Sequence, residues 1–261
     1  MSFFGGIFSG DKWKNEARQE KKNAEKYLLQ RDQWKQIGSK VREFAARRYL
    51  RGDGIEVGGL NAPLPVYEGA KVKYVDRMPT DALRKAYPEL QDQALVDVDI
   101  VDDGEKLGTI GDGSQDFVIA NHMLEHTQDP IRTVENFLRV LKPNGILFMA
   151  IPDKRFTFDR NRAITPYEHI KRDYLEGPSW SERAHFEDWV MQSPQTPAGQ
   201  EARQRAAALM EKGTSIHFHV WTLAEMAEMF LRIRSELGFP FEIESMILNG
   251  NEVVTILRKS A

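Results

Sequence analysis

The chain has 261 residues, which suits one α/β domain with a sizeable insertion, or a domain and a half. With 41% hydrophobic and 29% charged residues it is globular rather than disordered, and a net charge of -3 with a pI near 6.1 argues against a protein that coats nucleic acid. The absence of cysteine excludes disulfides, thiolate metal sites and cysteine nucleophiles, and fits a reducing cytoplasm.

The first ten residues, MSFFGGIFSG, are apolar but have neither a basic leader nor a long apolar core, so they do not read as a signal peptide. Phe3, Phe4, Ile7 and Phe8 beside the basic stretch that follows suit a peripheral contact with the inner membrane face; a terminus packed on its own domain is the plainer reading. Residues 11–51 carry 13 basic and 6 acidic side chains. Trp13, Tyr27, Leu28, Trp34, Ile37, Val41, Phe44 and Tyr49 recur there at three- and four-residue steps, the stripe of amphipathic helices. Residues 1–51 are therefore expected to form a helical extension, with its charges solvated or turned to an anionic partner.

From residue 52 strands and helices alternate. Strands are expected at Gly54–Val57, Lys71–Val75, Ala94–Ile100, Asp116–Ala120 and Ile146–Ile151, with helices at Thr80–Ala86 and Pro130–Leu141. The second helix runs into Lys142-Pro143-Asn144-Gly145, a stop followed by a turn. This alternation implies parallel βαβ units. Residues 153–220 are polar, aromatic and broken by Pro and Gly, as in a helical insertion. Thr222–Leu237 is an amphipathic helix with Thr222 as its N-cap, and Phe241–Leu248 and Val253–Leu257 form a hairpin around Asn249-Gly250.

The first strand ends in Glu56-Val57-Gly58-Gly59-Leu60-Asn61, and Asp76 closes the next strand twenty positions after Glu56. A glycine turn admits a ligand that a Cβ would block, and a carboxylate at this spacing can accept both hydroxyls of a ribose. A solvated aspartate at an ordinary βαβ corner gives the same pattern. NAD and S-adenosylmethionine both use this geometry. Counted from Gly58, the G-x-G-x-x-G fingerprint of a pyrophosphate site gives Gly58, Leu60 and Pro63. The missing glycines favour S-adenosylmethionine, which has no pyrophosphate.

The motifs that follow resemble those of class I S-adenosylmethionine-dependent methyltransferases, in particular the group typified by methyltransferase domain 11. Glu56-Val57-Gly58 is similar to the first motif, with Leu60 where a glycine is usual. Asp103-Gly104-Glu105-Lys106-Leu107 resembles the acidic segment after strand three, whose acid contacts the adenine amine; Asp103 is the match and Asp102 its competitor. Gln115–Ile119, Asn121-His122-Met123-Leu124-Glu125-His126 and Leu138–Gly145 resemble the fourth-strand motif, the "vLEH" signature and the "RvLkPgG" turn. The resemblance covers roughly 52–152 and 222–258. It implies an α/β, Rossmann-like class I methyltransferase fold: a mostly parallel seven-stranded sheet with an antiparallel last strand, in a domain spanning 52–261 with a substrate lid at 153–220. It also implies S-adenosylmethionine as cofactor, and Glu56, Gly58, Gly59, Asp76, Asp102, Asp103, Asn121 and His126 as its binding residues.

The acceptor side is read from titratable groups after strands four and five and in the lid. His122 and His126, four apart, would share a helix face and suit a metal, but a structural or pocket-lining histidine is the readier reading and no metal is assigned. Asp153 is expected to serve as base or hydroxyl partner, and Lys154 and Arg155 to receive an anion. In His217-Phe218-His219 alternation puts both histidines on one side, His219 being the first candidate for the acceptor-side base and His217 the next. Trp, Tyr, Arg and Asp together in the lid suit a sugar. Residues 152–174 also resemble a methyltransferase subgroup associated with cell-envelope polysaccharide synthesis. O-methylation of a sugar, glycan or glycolipid is thus the leading expectation. The alternatives are a non-catalytic adaptor on a degenerate methyltransferase fold and a nicotinamide-dependent sugar-modifying enzyme.

Overall fold

A computed structural model describes residues 40–192 and 199–261. Helix α1 is described over 40–49. It is followed by β1 (Gly52–Val57), β2 (Ala70–Asp76), α2 (Thr80–Ala86), β3 (Ile100–Val101), β4 (Gln115–Asn121), α3 (Pro130–Val140) and β5 (Leu141–Pro152). The insertion holds α4 (Tyr167–Glu176), α5 (Glu182–Met191) and α6 (Gln200–Glu211); α7 (Leu223–Leu237), β6 (Phe241–Asn249) and β7 (Glu252–Lys259) close the chain.

The seven strands form one sheet in the order β3-β2-β1-β4-β5-β7-β6. β1 pairs in parallel with β2 and β4, and β4 with β5; β7 runs antiparallel to both its neighbours, β5 and β6. The hairpin places the last strand between the fifth and sixth, which is the Rossmann-like arrangement expected of class I methyltransferases. Every parallel strand points its carboxyl end to the same edge, the edge where open α/β sheets bind ligands.

Two apolar layers bury the sheet. One joins Val57, Val118 and Met149 to Val134, Phe137, Phe230 and Ile233 of α3 and α7. The other packs Phe117, Ile119, Phe148 and Ile256 against Ala45, Ala46 and Leu50 of the N-terminal segment. That segment differs from its expected stripe: Phe44 is 60% exposed, and the small Ala45 and Ala46 face the sheet. A helix can lie close to a sheet over alanines, so the large side chain turns outward. Arg42 fixes its start through a bidentate pair with Glu252 at the head of β7. Phe3, Phe4, Ile7, Phe8, Trp13, Tyr27, Leu28, Trp34 and Ile37 lie outside the described residues, and with them the membrane-contact expectation. No helix among the described residues is long and apolar enough to cross a membrane.

Two expected elements change. The third strand shrinks from Ala94–Ile100 to Ile100–Val101. The amides of Val96 and Val98 bond to Leu60 O and Thr80 Oγ1 instead of a strand ladder, so this run packs over the β1 turn and the start of α2. The Lys142–Gly145 turn falls inside β5 rather than before it: Gln115 pairs with Leu141 and Phe117 with Ile146, leaving a bulge in which Asn144 takes φ 64°. A Cβ on Gly145 would stand 2.9 Å from Lys142 O. α7 begins as expected, with Thr222 and Glu225 forming a reciprocal capping box.

Candidate active site

The cofactor side is built on the ends of β1, β2 and β4. Gly58 takes φ 68°, where a side chain is disfavoured, and an added Cβ would meet no protein atom within 4 Å. The turn is therefore open at this position. Leu60, where the resemblance puts a glycine, itself adopts φ 42° and still follows the path of a glycine turn. Glu56 is buried, and both its oxygens accept from Leu64 N, tying the far end of the loop back to β1. Burial raises its pKa to about 7 against the opposing Leu64 bond. Asp76 is half-buried at the end of β2, its carboxyl raised by burial, and Oδ1 accepts from Arg77 N.

Of the two acids after β3, Asp102 accepts from Asp103 N through one oxygen and from the Thr109 amide and hydroxyl through the other. Asp103 accepts from Glu105 N and pairs with Lys106. Both thus hold the 102–109 turn, which places Gly104 so close to β1 that a Cβ would lie 2.7 Å from Val57. At the end of β4 both amide atoms of Asn121 are buried without a hydrogen-bond partner. An orphaned amide at the carboxyl edge, beside an open glycine turn, fits a cofactor that supplies the missing partners. Gly58, Gly59, Asp76 and Asn121 stand together at the carboxyl ends of β1, β2 and β4.

His122 and His126 do not share a helix face, because residues 124–126 form a single 3-10 turn and His122 takes φ 50°. His122 Nε2 bonds to Glu252 at 2.8 Å, while His126 Nδ1 lies 2.9 Å from Ile216 O on the lid side. Burial and then His217 lower the His126 pKa to about 4, so it is neutral at pH 7. Between them Glu125 is buried without a hydrogen-bond partner, its Oε1 3.6 Å from His122 Nδ1, and burial raises its pKa.

On the acceptor side, Asp153 is fully buried and engaged by both oxygens: Arg155 bonds to each, at 2.9 and 2.7 Å, and Leu223 N donates to Oδ2. Burial opposes its ionisation, but these bonds hold its pKa below the ordinary value. Lys154 and Arg155 are likewise used inside the protein, Lys154 Nζ donating to Arg160 O. The run 217–219 is threaded beside Glu125, whose carbonyl accepts from Phe218 N. Its two histidines enter different clusters. His217 Nδ1 lies 2.7 Å from Asp159 Oδ2, and Arg162 bonds to Asp159 Oδ1 at 2.9 Å and to His217 O. Burial works against the Asp159 charge, yet His217 and Arg162 keep its pKa low. The His217 ring meets those of His126 at 4.6 Å and Phe158 at 4.9 Å. His219 is fully buried, with Nε2 3.3 Å from Gln128 O and Nδ1 unpartnered, and burial holds it neutral.

Asp159 and Arg162 were not singled out as site residues by the sequence. Only the three-residue spacing within that pair was visible there; the contact between Asp159 and His217, 58 residues apart, was not.

A glycine turn, an acid twenty positions on and an orphaned amide stand at the carboxyl edge of this Rossmann-like sheet. The profile of a methyltransferase-domain family matches residues 28–232, and the chain belongs to that family: it is a methyltransferase, with S-adenosylmethionine as its cofactor. No curated protein matches the chain. Solved structures similar in chain path include a SAM-dependent methyltransferase from Aquifex aeolicus, at 11% identity over 85% of this chain and 89% of that one, with a TM-score of 0.45. A SAM-dependent methyltransferase from Thermotoga maritima, described as a possible histamine N-methyltransferase, shares 15% identity over 90% and 98% of the two chains, with a TM-score of 0.46. A third, from Methanosarcina mazei, shares 17% identity over 82% and 95%, with a TM-score of 0.42.

Proposed function

We propose that this enzyme methylates a hydroxyl oxygen of a sugar, glycan or glycolipid, with His217 as the base. The observation that carries the reading is the His217–Asp159 pair at 2.7 Å, anchored by Arg162 and set beside the loop that follows Asn121. When bound, S-adenosylmethionine supplies an electrophilic methyl group. A hydroxyl oxygen attacking it must lose its proton, so a base within reach is required. An ionised Asp159 accepting from Nδ1–H of His217 leaves Nε2 with the lone pair that takes this proton. Asp159 also steadies the imidazolium that results, as the acid does in a triad. The His126 ring packs edge-on against that of His217, with ring centroids 4.6 Å apart, and Glu125 directly precedes it in the chain. Phe158, 64% exposed and tilted 35° to the His217 ring, together with Trp189, offers aromatic surface for a sugar ring beside the base. His219 and Asp153 do not take this role, the first being fully enclosed and the second bound by Arg155.

The test is release of S-adenosylhomocysteine with panels of sugar nucleotides and glycolipids, beside amine and carbon acceptors. Turnover on hydroxyl acceptors is expected. His217→Ala and Asp159→Asn should each lower kcat by about a hundredfold or more while the KM for S-adenosylmethionine changes little. Turnover confined to amines, or full kcat in His217→Ala, rejects the reading.

A further inference from the structure

A second polar cluster lies in the lid, built from residues that the proposed transfer step does not use. His169 and Asp173 stand four apart on α4 and so project from one face; His185 comes from α5 and His219 from the segment before α7. One ligating atom from each lies within 4.8 Å of all the others. His169 Nε2 is 3.0 Å from His185 Nε2 and 3.4 Å from Asp173 Oδ2, which is 3.7 Å from His219 Nε2. The edge of a tetrahedron of ligands around a zinc ion is about 3.3 Å, from metal–ligand bonds of about 2.0–2.1 Å. The three separations bracket that value.

The hydrogen-bond account of the cluster does not close on its own. Asp173 is fully buried; Ser181 and Trp180 face its carboxyl, and its Oδ2, directed at two imidazoles, has no close hydrogen-bond partner. Two ring nitrogens facing each other at 3.0 Å share at most one proton when neutral. A buried carboxylate is expected to be paired with a cation or to coordinate a metal, and no Lys or Arg bonds to this one among the described residues. The groups behind the cluster are arranged as outer supports: Ser181 Oγ donates to Asp173 Oδ1 at 3.0 Å, and His185 bonds to the main chain of Phe218. Trp180 and Trp221 sheathe the histidine rings.

We propose that His169, Asp173, His185 and His219 form a binding site for a divalent transition-metal ion of the zinc type, which pins α4, α5 and the 214–221 segment together in the lid. Four protein ligands make a closed site, so its role is to hold the lid and, through His219, to set the position of His217 two residues away. The site does not depend on the identity of the acceptor.

The full chain is stripped with a chelator, dialysed against zinc and then against metal-free buffer, and its zinc is measured by mass spectrometry. About one zinc per chain is expected, lost in Asp173→Ala and in the milder His185→Gln. Ser181→Ala, which removes only an outer support, should weaken zinc affinity about tenfold. Cobalt in place of zinc should show the intense visible bands of a four-coordinate ion, and chelation should lower the Tm of the wild type but not of His185→Gln. If the ligand variants fail to fold, the cobalt spectrum and the chelator effect on the wild type still decide. A wild type that retains no zinc overturns the proposal. So does zinc retained in His185→Gln but lost in His217→Gln, which would place the ion among Glu125, His126 and His217.

Discussion

Asn121 ends β4 with both polar atoms of its amide buried and unpartnered. Such a group costs on the order of 1 kcal/mol or more in the free protein, and a ligand that bonds to it recovers that cost on binding. Asn121→Ala should therefore leave the Tm of the cofactor-free protein unchanged or raise it, while calorimetry shows S-adenosylhomocysteine binding weakened at least about tenfold. Equal affinity in variant and wild type would remove Asn121 from the cofactor site. Leu60 illustrates the opposite situation at the same scale. A glycine is absent from the motif, but the left-handed conformation that a glycine serves is retained, at φ 42°. The sequence shows the substitution and is silent on whether the turn survives it.

At the scale of elements, Glu252 joins the N-terminal helix to the hairpin. Its carboxylate receives Arg42, His122 and Asn249. Burial raises its pKa, but His122 and Arg42 outweigh it and bring the value to about 2 from 4.5. Because the folded state holds this carboxyl ionised more strongly than the unfolded chain does, the stabilisation is complete above pH about 4.5 and is lost as the pH falls toward about 2. Glu252→Gln should lose on the order of 2 kcal/mol at neutral pH. The gap from wild type should close across that acid window in unfolding curves followed by circular dichroism. A gap that stays constant with pH would show that ionisation of Glu252 does not contribute. The strands and main helices were legible because buried parallel strands and amphipathic helices have distinct periods. Residues 94–99 misled because their apolar alternation is spent on packing over the β1 turn, where Leu60 O and Thr80 Oγ1 take the amides.

For the whole molecule, the boundary at residue 52 separates in sequence what packs together in space. Ala45, Ala46 and Leu50 cover Phe117, Ile119, Phe148 and Ile256. A chain starting at residue 52 should be destabilised by more than about 3 kcal/mol, through loss of that burial and of the Arg42 pair. Its Tm measured against the full chain checks this, and an unchanged Tm would show that the helix only decorates the sheet. The insertion likewise is joined across distance: Arg162 bonds to Asp159, Asp188 and the 217–218 backbone, bringing three parts of the insertion to one guanidinium.

The order of strands and helices, the glycine turn, the spaced Asp76 and the methyltransferase motifs are local patterns, and the sequence alone determined them. These patterns are legible because each is carried by residue types at regular spacings along one stretch of chain. The sequence also marked the 217–219 run as acceptor-side, but could not divide its work. Only the tertiary structure decided that His217 meets Asp159 while His219 joins His169, Asp173 and His185. It likewise decided that Asp153 is committed to Arg155 and Leu223, and that His122 and His126 turn to different partners. Those choices depend on which side chains are brought within about 3 Å of one another across long stretches of chain, a quantity that neither composition nor spacing encodes.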